Sequence, residues 1–320
     1  MEFPKISIIT PSFNQGQYIG QTIESVLDQG YPNLEFMIID GGSSDNTMSV
    51  VKGYQKHLDW IVSEPDDGQS HAINKGLSRV SGELFNWINS DDYLELGALH
   101  AIGESALEFP NVEVFCGNTR CFYDEDNSDS HTYQTGVKST VEETIMSLVM
   151  NQPGTFYRSS TIKDLGGVNQ DLNYVFDNEL FCRYVAKNGL QKIHFMQELL
   201  CHFRLHKRSK SVGDGYHLFN DELQSIYTYL YQNGPGKGTL KDFFSTNKTY
   251  NAQQKWNFNY GDWNRFNRLF AKDKLVRISE NNPYSAVFGL ISQLVLHGDF
   301  AWNRKNRGAI LHTVKGLVGL

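Results

Sequence analysis

Cysteine is scarce in this 320-residue sequence: there are four, at positions 116, 121, 182 and 201, and no two stand at C-x-x-C spacing. Zinc sites and redox pairs use that spacing and disulfide frameworks use denser cysteines, so the pattern argues against all three. A hydrophobic content of 40% is enough to bury a core without such support. At about 100–200 residues per domain, the length favours two domains, or one domain with a long appendage.

An excess of positive charge is also missing, since 36 acidic residues outnumber 29 basic ones and the formal net charge is −7. We therefore expect no nucleic-acid partner. No apolar run reaches the roughly 18 residues of a membrane-spanning helix, and the first residues lack the pattern of a signal peptide. We expect a cytoplasmic protein. Two amphipathic, basic stretches, 287–296 and 310–320, leave peripheral contact with the inner face of the membrane open, although core packing explains them as well.

Two glycine-rich phosphate loops are absent. The first predicted strand is not followed by G-x-G-x-x-G, and G-x-x-x-x-G-K-[ST] does not occur. Ser25 and Ser90 also lack the surroundings of a nucleophile elbow. A diphosphate bound by this chain would therefore be held mainly by a metal ion.

The first hundred residues alternate between short apolar runs and segments with helical apolar spacing. Strands are predicted at 6–10, 34–39, 60–62 and 84–88, and helices at 18–29, 45–58 and 69–80. This β-α-β-α-β-α-β order predicts a doubly wound α/β fold with a mainly parallel sheet. In such sheets, ligands bind at the carboxyl ends of the strands.

The rhythm loosens beyond residue 110. Further strands are predicted at 112–122 and 192–203, and further helices at 140–150 and 179–187, while the acidic stretch 124–130 reads as a solvated loop. A linker, GPGKG, occupies 234–238 and is followed by a predicted helical appendage. We predict a catalytic domain at 1–210 and a mostly helical region at 211–320 that covers the acceptor, forms a homodimer or contacts a membrane.

Carboxylates follow three of the predicted strands. Asp40 ends the second strand, the pair Asp66 and Asp67 follows the third, and Asp91 and Asp92 follow the fourth. Oxygen ligands of this kind suit Mg²⁺ and Mn²⁺, and Mg²⁺ completes its shell with phosphate and water. The pattern predicts a functional rim that holds a divalent cation.

Five sequence blocks occur in the order found in glycosyltransferase family 2, and over about residues 5–210 the chain resembles that family. The blocks are IITPSFN at 8–14, DGGSSD at 40–45, SEPD at 63–66 with NKG at 74–76, NSDD at 89–92 and YVFDNELFCR at 174–183. The resemblance implies a GT-A fold, a nucleotide-diphosphate sugar donor (a UDP-sugar first), and transfer with inversion at the anomeric carbon. It also implies a saccharide or lipid-linked saccharide acceptor and a role in polysaccharide or glycoconjugate synthesis.

The resemblance also implies roles for individual residues. Asp177 stands where the family keeps its general base, and we hold Glu179 in reserve. For Asp177 the alternative interpretation is a helix N-cap. For Asn74 and Lys75 it is an ordinary helix surface. The residues expected at the donor nucleotide are Pro11, Ser12, Phe13, Asp40, Asp66, Asn74, Lys75 and Asp91. The residues expected at Mn²⁺ or Mg²⁺ are Asp91, Asp92 and His206.

Two positions depart from the family pattern. Asn89 takes the first place of the D-x-D region, which leaves open whether Asp91 or Asp92 is the direct metal ligand, and Phe181 stands where tryptophan is common. Two other functions remain as alternatives. One is a sugar-nucleotide-binding scaffold without chemistry, and the other is a nucleotidyltransferase, for which the N-terminal glycine-rich loop is missing.

Overall fold

The computed structural model describes residues 2–207, 209–210, 215–236 and 249–280. The strands in this part of the chain are β1 (Ile6–Ser12), β2 (Leu34–Asp40), β3 (Trp60–Ser63), β4 (Leu84–Trp87), β5 (Tyr93–Leu94), β6 (Val114–Tyr123), β7 (Asp129–Tyr133), β8 (Thr155–Arg158) and β9 (Ile193–Leu205). The helices are α1 (Ile19–Leu27), α2 (Thr47–Gly53), α3 (Gln69–Leu77), α4 (Ala98–Glu108), α5 (Val141–Met146), α6 (Ser159–Asp164), α7 (Phe176–Asn188), α8 (Gly215–Asn233) and α9 (Trp263–Glu280).

The described strands form one mixed sheet in the order β3-β2-β1-β4-β8-β6-β9-β5, with β7 beside β6. Strands β1 to β4 run parallel to one another, which confirms the prediction for the first hundred residues. Strand β8 then enters antiparallel to β4 and β6, while the two late strands predicted from sequence, β6 and β9, pair in parallel.

Helices cover both faces of this sheet. Adjacent residues of β1 point to opposite faces, so Ile8 packs with α1, α2 and α4, while Ile9 packs with α3 and α7. Strands that are buried on both faces read as continuous apolar runs, and all seven residues of β1 are buried.

Several element bounds differ from the prediction. The helix expected over 45–58 ends as an α-helix at Gly53 and continues as a single 3-10 turn at Gln55–His57. The helix expected over 140–150 is shorter, because α5 spans only Val141–Met146. Helix α7 starts three residues before the predicted 179, so Asp177 lies inside its first turn.

The described residues after 210 pack on the part of the chain that precedes them. Leu230 of α8 and Phe266 of α9 belong to the same buried apolar cluster as Phe181 of α7. The boundary at 210/211 stays a prediction, and the stretches 287–296 and 310–320 lie outside the described residues. Within the described ranges, no helix combines the length and apolar character needed to cross a membrane.

Candidate active site

The candidate site lies at the carboxyl ends of β1, β2, β3 and β4. Ser12, Asp40 and Ser63 stand side by side in the register of the first three strands, and Asp91 follows β4. The three predicted carboxylate-bearing segments therefore converge on one rim, as parallel strands require.

Asp40 organises the loop after β2. Its buried carboxylate accepts hydrogen bonds from the backbone N–H groups of Gly42 (3.1 Å) and Ser43 (2.9 Å) and from the Ser63 hydroxyl (2.6 Å). These bonds hold the DGGSSD turn against β3. Reading of a nucleobase by Asp40 stays a prediction.

The end of β1 presents one aromatic ring and one buried hydroxyl. Phe13 is 60% exposed, far more than is usual for a side chain of its size, whereas Pro11 and Ser12 are buried. The Ser12 hydroxyl oxygen has no hydrogen-bond partner within the described part of the chain. An exposed ring next to an unsatisfied buried hydroxyl suits a planar polar ligand such as a nucleobase.

Asp66 lies against the backbone of the DGGSSD turn. A Cβ atom at Gly41 would meet both carboxylate oxygens of Asp66 at 3.0 Å, so a larger residue there would push the Asp66 carboxylate away. The Asp66 Oδ1 also accepts a hydrogen bond from the Gly68 N–H, at a glycine with φ of +111°. The third strand end is thereby fixed beside the second.

Asn74 and Lys75 have structural partners. The Asn74 amide donates to the Val168 carbonyl (2.8 Å) and accepts from the Val168 N–H (3.0 Å), which fastens α3 to a segment 94 residues away. The Lys75 ammonium pairs with Glu64 at 2.8 Å. Their contact with a donor stays a prediction.

Asp91 and His206 form a pair at the rim. The Asp91 Oδ2 lies 3.0 Å from the His206 Nε2, and the side chains are 20% and 8% exposed. An oxygen and an imidazole nitrogen therefore face each other at the end of β4.

Asp92 points inward. It is 1% exposed, and its two carboxylate oxygens accept from the Arg204 N–H (3.0 Å) and from the Asn89 amide (3.0 Å). Burial, together with the neighbouring Asp91 charge, raises the pKa of Asp92 well above its ordinary value. Both oxygens are already used by the protein, so Asp91 is the aspartate of the pair that faces the rim.

The departure at position 89 has a local reason. The Asn89 amide donates to Asp92 while its oxygen accepts from the Gln69 amide (2.6 Å). An ionised aspartate at 89 has no hydrogen to donate and would bring a second negative charge against Asp92.

Arg204, whose contacts the sequence did not predict, joins three other segments behind the Asp91–His206 pair. Its guanidinium donates to the Asp91 carbonyl (2.9 Å), to Asp124 (2.5 Å) and to Gln21, and it stacks on the Tyr18 ring at 4.8 Å. The only local signal was an arginine inside the otherwise apolar end of β9.

The prediction that 124–130 is merely solvated is wrong for Asp124. Its carboxylate bonds Arg204 and also accepts from the Tyr18 hydroxyl at 2.9 Å. Residues 125–128 are exposed, as expected of a surface loop. A run of acidic residues does not reveal which member turns inward, because the partners lie 80 and 106 residues away along the chain.

Asp177 occupies the first turn of α7 and is not the N-cap, which is Val175. Its Oδ1 accepts from the backbone N–H (2.8 Å) and the amide (3.3 Å) of Asn178. Burial raises the pKa of Asp177 to about 6, against the opposing effect of the Asn178 hydrogen bonds. A carboxylate with this pKa is ionised at neutral pH and still basic enough to take a proton.

Glu179, the reserve candidate for the base, is excluded by its surroundings. It is fully buried, pairs with Arg183 at 2.7 Å and accepts from the Tyr250 hydroxyl at 2.6 Å. The Arg183 guanidinium also donates to the Leu165 and Gly167 carbonyls. Glu179 therefore belongs to a buried ion-pair network and has no access to a substrate.

Comparison with known proteins identifies the family. The profile described as Glycosyl transferase family 2 matches residues 7–173, which is more than half of the chain. The chain belongs to glycosyltransferase family 2. Four of the five blocks that carried the resemblance lie inside the matched region.

Individual relatives agree with the family assignment. The chain is 32% identical over 148 residues to the putative teichuronic acid biosynthesis glycosyltransferase TuaG of Bacillus subtilis, covering 43% of this chain and 59% of TuaG. The region of similarity spans only about half to two thirds of the length of the curated relatives that the chain matches.

Solved structures show the fold. S. aureus TarS 1–349 in complex with UDP-GlcNAc is similar with a TM-score of 0.57 and 17% identity, over 93% of each chain. The mannosyltransferase PcManGT from Pyrobaculum calidifontis, in complex with GDP-Man and Mn²⁺, gives a TM-score of 0.53 and 17% identity over 98% of this chain and 87% of that one. The predicted GT-A fold of this family 2 member is confirmed.

The rim suits a metal ion that arrives with its substrate. No cluster of three or more histidine, cysteine, aspartate or glutamate side chains able to hold a metal exists among the described residues. Mg²⁺ is usually bound by one or two carboxylates together with substrate phosphates, and imidazole is also a ligand of transition metals such as Mn²⁺. The Asp91–His206 pair fits that incomplete protein ligand set.

Proposed function

We propose that this family 2 enzyme moves a sugar from a nucleoside-diphosphate sugar onto an acceptor hydroxyl, with inversion at the anomeric carbon. The observation that supports this proposal most strongly is Asp177, a half-buried carboxylate with a pKa of about 6. The Lys210 ammonium lies within electrostatic reach of both Asp177 and Asp91, so the base and the metal-side carboxylate border one site.

Asp177 acts as the general base. As the acceptor oxygen bonds to the anomeric carbon, the bond from that carbon to the diphosphate oxygen breaks, and the acceptor proton passes to the Asp177 carboxylate. Attack opposite the leaving group inverts the anomeric configuration. A positioned base of this kind contributes about 10²–10⁴-fold to the rate.

Asp91 and His206 would hold Mn²⁺ or Mg²⁺, with Asp91 as the direct carboxylate ligand. A divalent cation there supplies neutralisation of the diphosphate leaving group. The support is the 3.0 Å pair at the rim, the inward direction of Asp92, and the Mn²⁺ in the complex of PcManGT. In this arrangement Asp92 sets the position of the loop that carries Asp91.

The donor nucleotide lies along the ends of β1 to β3. Phe13 and Pro11 flank the base, the unsatisfied Ser12 hydroxyl reads its polar edge, Asp40 supports that edge through the turn that it holds, and Asp66 faces the ribose. A UDP-sugar is the first donor to test, because the TarS complex contains UDP-GlcNAc.

The acceptor is a saccharide or lipid-linked saccharide hydroxyl, and the setting is polysaccharide or glycoconjugate synthesis in the cytoplasm or at the inner face of the membrane. The resemblance to TuaG supports this setting. Residues 211–320 are assigned to the acceptor side, to a homodimer or to a membrane surface.

The assignment is tested by following the products of a nucleotide-sugar panel with Mn²⁺, Mg²⁺ or EDTA. Release of nucleoside diphosphate from one donor in the presence of metal is expected, even with water as a slow acceptor. Release of pyrophosphate would indicate a nucleotidyltransferase instead. Metal-dependent donor binding without any product, also with acceptor saccharides present, would indicate a scaffold.

A further inference from the structure

Glu222 of α8 lies under the start of α7, the helix that carries Asp177. Its side chain is 1% exposed and accepts hydrogen bonds from three consecutive backbone N–H groups, those of Asn173 (3.1 and 3.2 Å), Tyr174 (2.8 Å) and Val175 (3.2 Å). One carboxylate thus accepts from the three residues that lead into α7.

Such an arrangement is strong for two reasons. Asn173 and Tyr174 precede the helix and Val175 is its N-cap, so three bonds to one acceptor fix the path of the backbone into the first turn. A carboxylate at that end also interacts favourably with the helix dipole and with a concave set of N–H groups. Asp177 is the second residue after Val175, so its backbone position follows from this contact.

The opposite side of the same segment is tied to the metal-side loop. The Asn173 carbonyl accepts from the Lys210 ammonium (2.9 Å), which also donates to the Gln69 side chain (3.1 Å). Gln69 in turn bonds Asn89, the neighbour of Asp92. Glu222 and Lys210 therefore hold the segment from its donor and acceptor sides.

We propose that Glu222 is a positioning residue for Asp177, which makes α8 a structural part of the active site. The inference rests on the proposed role of Asp177 as the base. Glu222 lies well beyond residue 173, where the family match ends. The proposed role of Glu222 is exerted through the backbone of 173–175.

The adjacent acidic residue offers a matched control. Glu222→Gln keeps the shape of the side chain but turns an amide NH₂ toward backbone N–H groups, so at most one oxygen can still accept. Asp221→Asn removes the same charge one position earlier, where the side chain is exposed. Glu222→Asp keeps the charge but is one methylene shorter, and it serves as a milder variant if Glu222→Gln does not fold.

Two readouts separate positioning from general destabilisation. Hydrogen exchange reports directly on the amides of 173–175, and steady-state kinetics with the active donor separate kcat from the donor KM. For Glu222→Gln we expect faster exchange at these amides and a kcat lowered about 10–100-fold, because misplacing a reacting group by about 1 Å costs on that order. The donor KM should change less than about threefold on the same reasoning, since donor contacts stay in place.

Wild-type kcat in a folded Glu222→Gln or Glu222→Asp variant would overturn the positioning role, as would unchanged exchange at 173–175. An equal loss of kcat in Asp221→Asn would overturn it too, because bulk charge would then explain the effect. Failure of the proposed function is recognised separately, as absence of transfer by the wild-type protein with every donor. That result would remove the positioning role as well, while the exchange data would still report whether Glu222 holds the segment.

Discussion

Asp91 and His206 are 115 residues apart in the sequence, yet the Asp91 Oδ2 lies 3.0 Å from the His206 Nε2 at the rim of the sheet. The pairing of β5 with β9 creates this contact, because β5 follows Asp92 directly and β9 ends just before His206. Two residues that the sequence assigned to one metal ion are thus neighbours in space.

His206→Ala should weaken metal-dependent donor binding by at least about tenfold, because the proposed metal site would lose one of its two protein ligands. The measurement is calorimetry with UDP and Mn²⁺, with UDP alone as the baseline. The exposed His57→Ala serves as the control for general loss of a histidine. Equal affinity of the His206→Ala and wild-type proteins for UDP with Mn²⁺ would remove His206 from the metal site.

Asp91 and Asp92 should respond differently to the same change. Asp92→Ala leaves the Arg204 N–H and the Asn89 amide without their acceptor, and we expect it to lower the free energy of unfolding by about 2–3 kcal/mol. Asp91→Ala should change stability by less than about 1 kcal/mol but abolish metal-dependent donor binding. Urea unfolding and calorimetry measure the two effects, and the reverse pattern would exchange the two assignments.

Arg204→Met should weaken both the fold and the metal site. The variant leaves the partly exposed Asp124 without its ion pair and the Asp91 carbonyl without its donor. Because Asp124 retains some solvent access, we expect a cost of about 2 kcal/mol. Arg204→Lys should recover less than half of that, since a lysine cannot reproduce three directed hydrogen bonds and the stacking on Tyr18. Full recovery of the free energy of unfolding in Arg204→Lys, measured by urea unfolding, would contradict this role of the guanidinium.

The pH dependence of transfer should follow Asp177. The base works only when ionised, and burial raises its pKa to about 6, so kcat should be constant above about pH 7 and fall about tenfold per unit below pH 6. The rate is measured from pH 5 to 8.5 at saturating donor and metal, with circular dichroism at each pH as the control for folding. A flat profile down to pH 5 in the folded protein would argue against Asp177 as the base.

Most of the sheet and its rim follow from local pattern. Apolar runs that end in Asp40 and at Asp91 predicted both the strands and the edge where a ligand binds, because parallel strands direct their carboxyl ends the same way. The position of Asp177 was predicted only through the family resemblance, since nothing in its own surroundings in sequence marks it as a base.

Contacts between segments that lie far apart along the chain could not be predicted from the sequence. Arg204, Asp124 and Glu222 look like ordinary charged residues in the sequence, and their roles depend on partners 47 to 183 residues away. Glu179 illustrates the opposite error, because its place beside Asp177 suggested chemistry whereas its side chain is sealed in an ion pair with Arg183. Burial and pairing, which periodicity does not encode, decide between these readings.

The central claim is that Asp177 removes the acceptor proton during sugar transfer, and the most direct measurement compares Asp177→Asn with wild type on the active donor and acceptor. The exposed Asp221→Asn is the control for loss of one carboxylate. We predict that Asp177→Asn binds the donor with metal as wild type does, while transfer falls by at least about 10²-fold. Transfer by Asp177→Asn within about threefold of wild type would contradict the account, because a base worth 10²-fold or more cannot be lost without that effect.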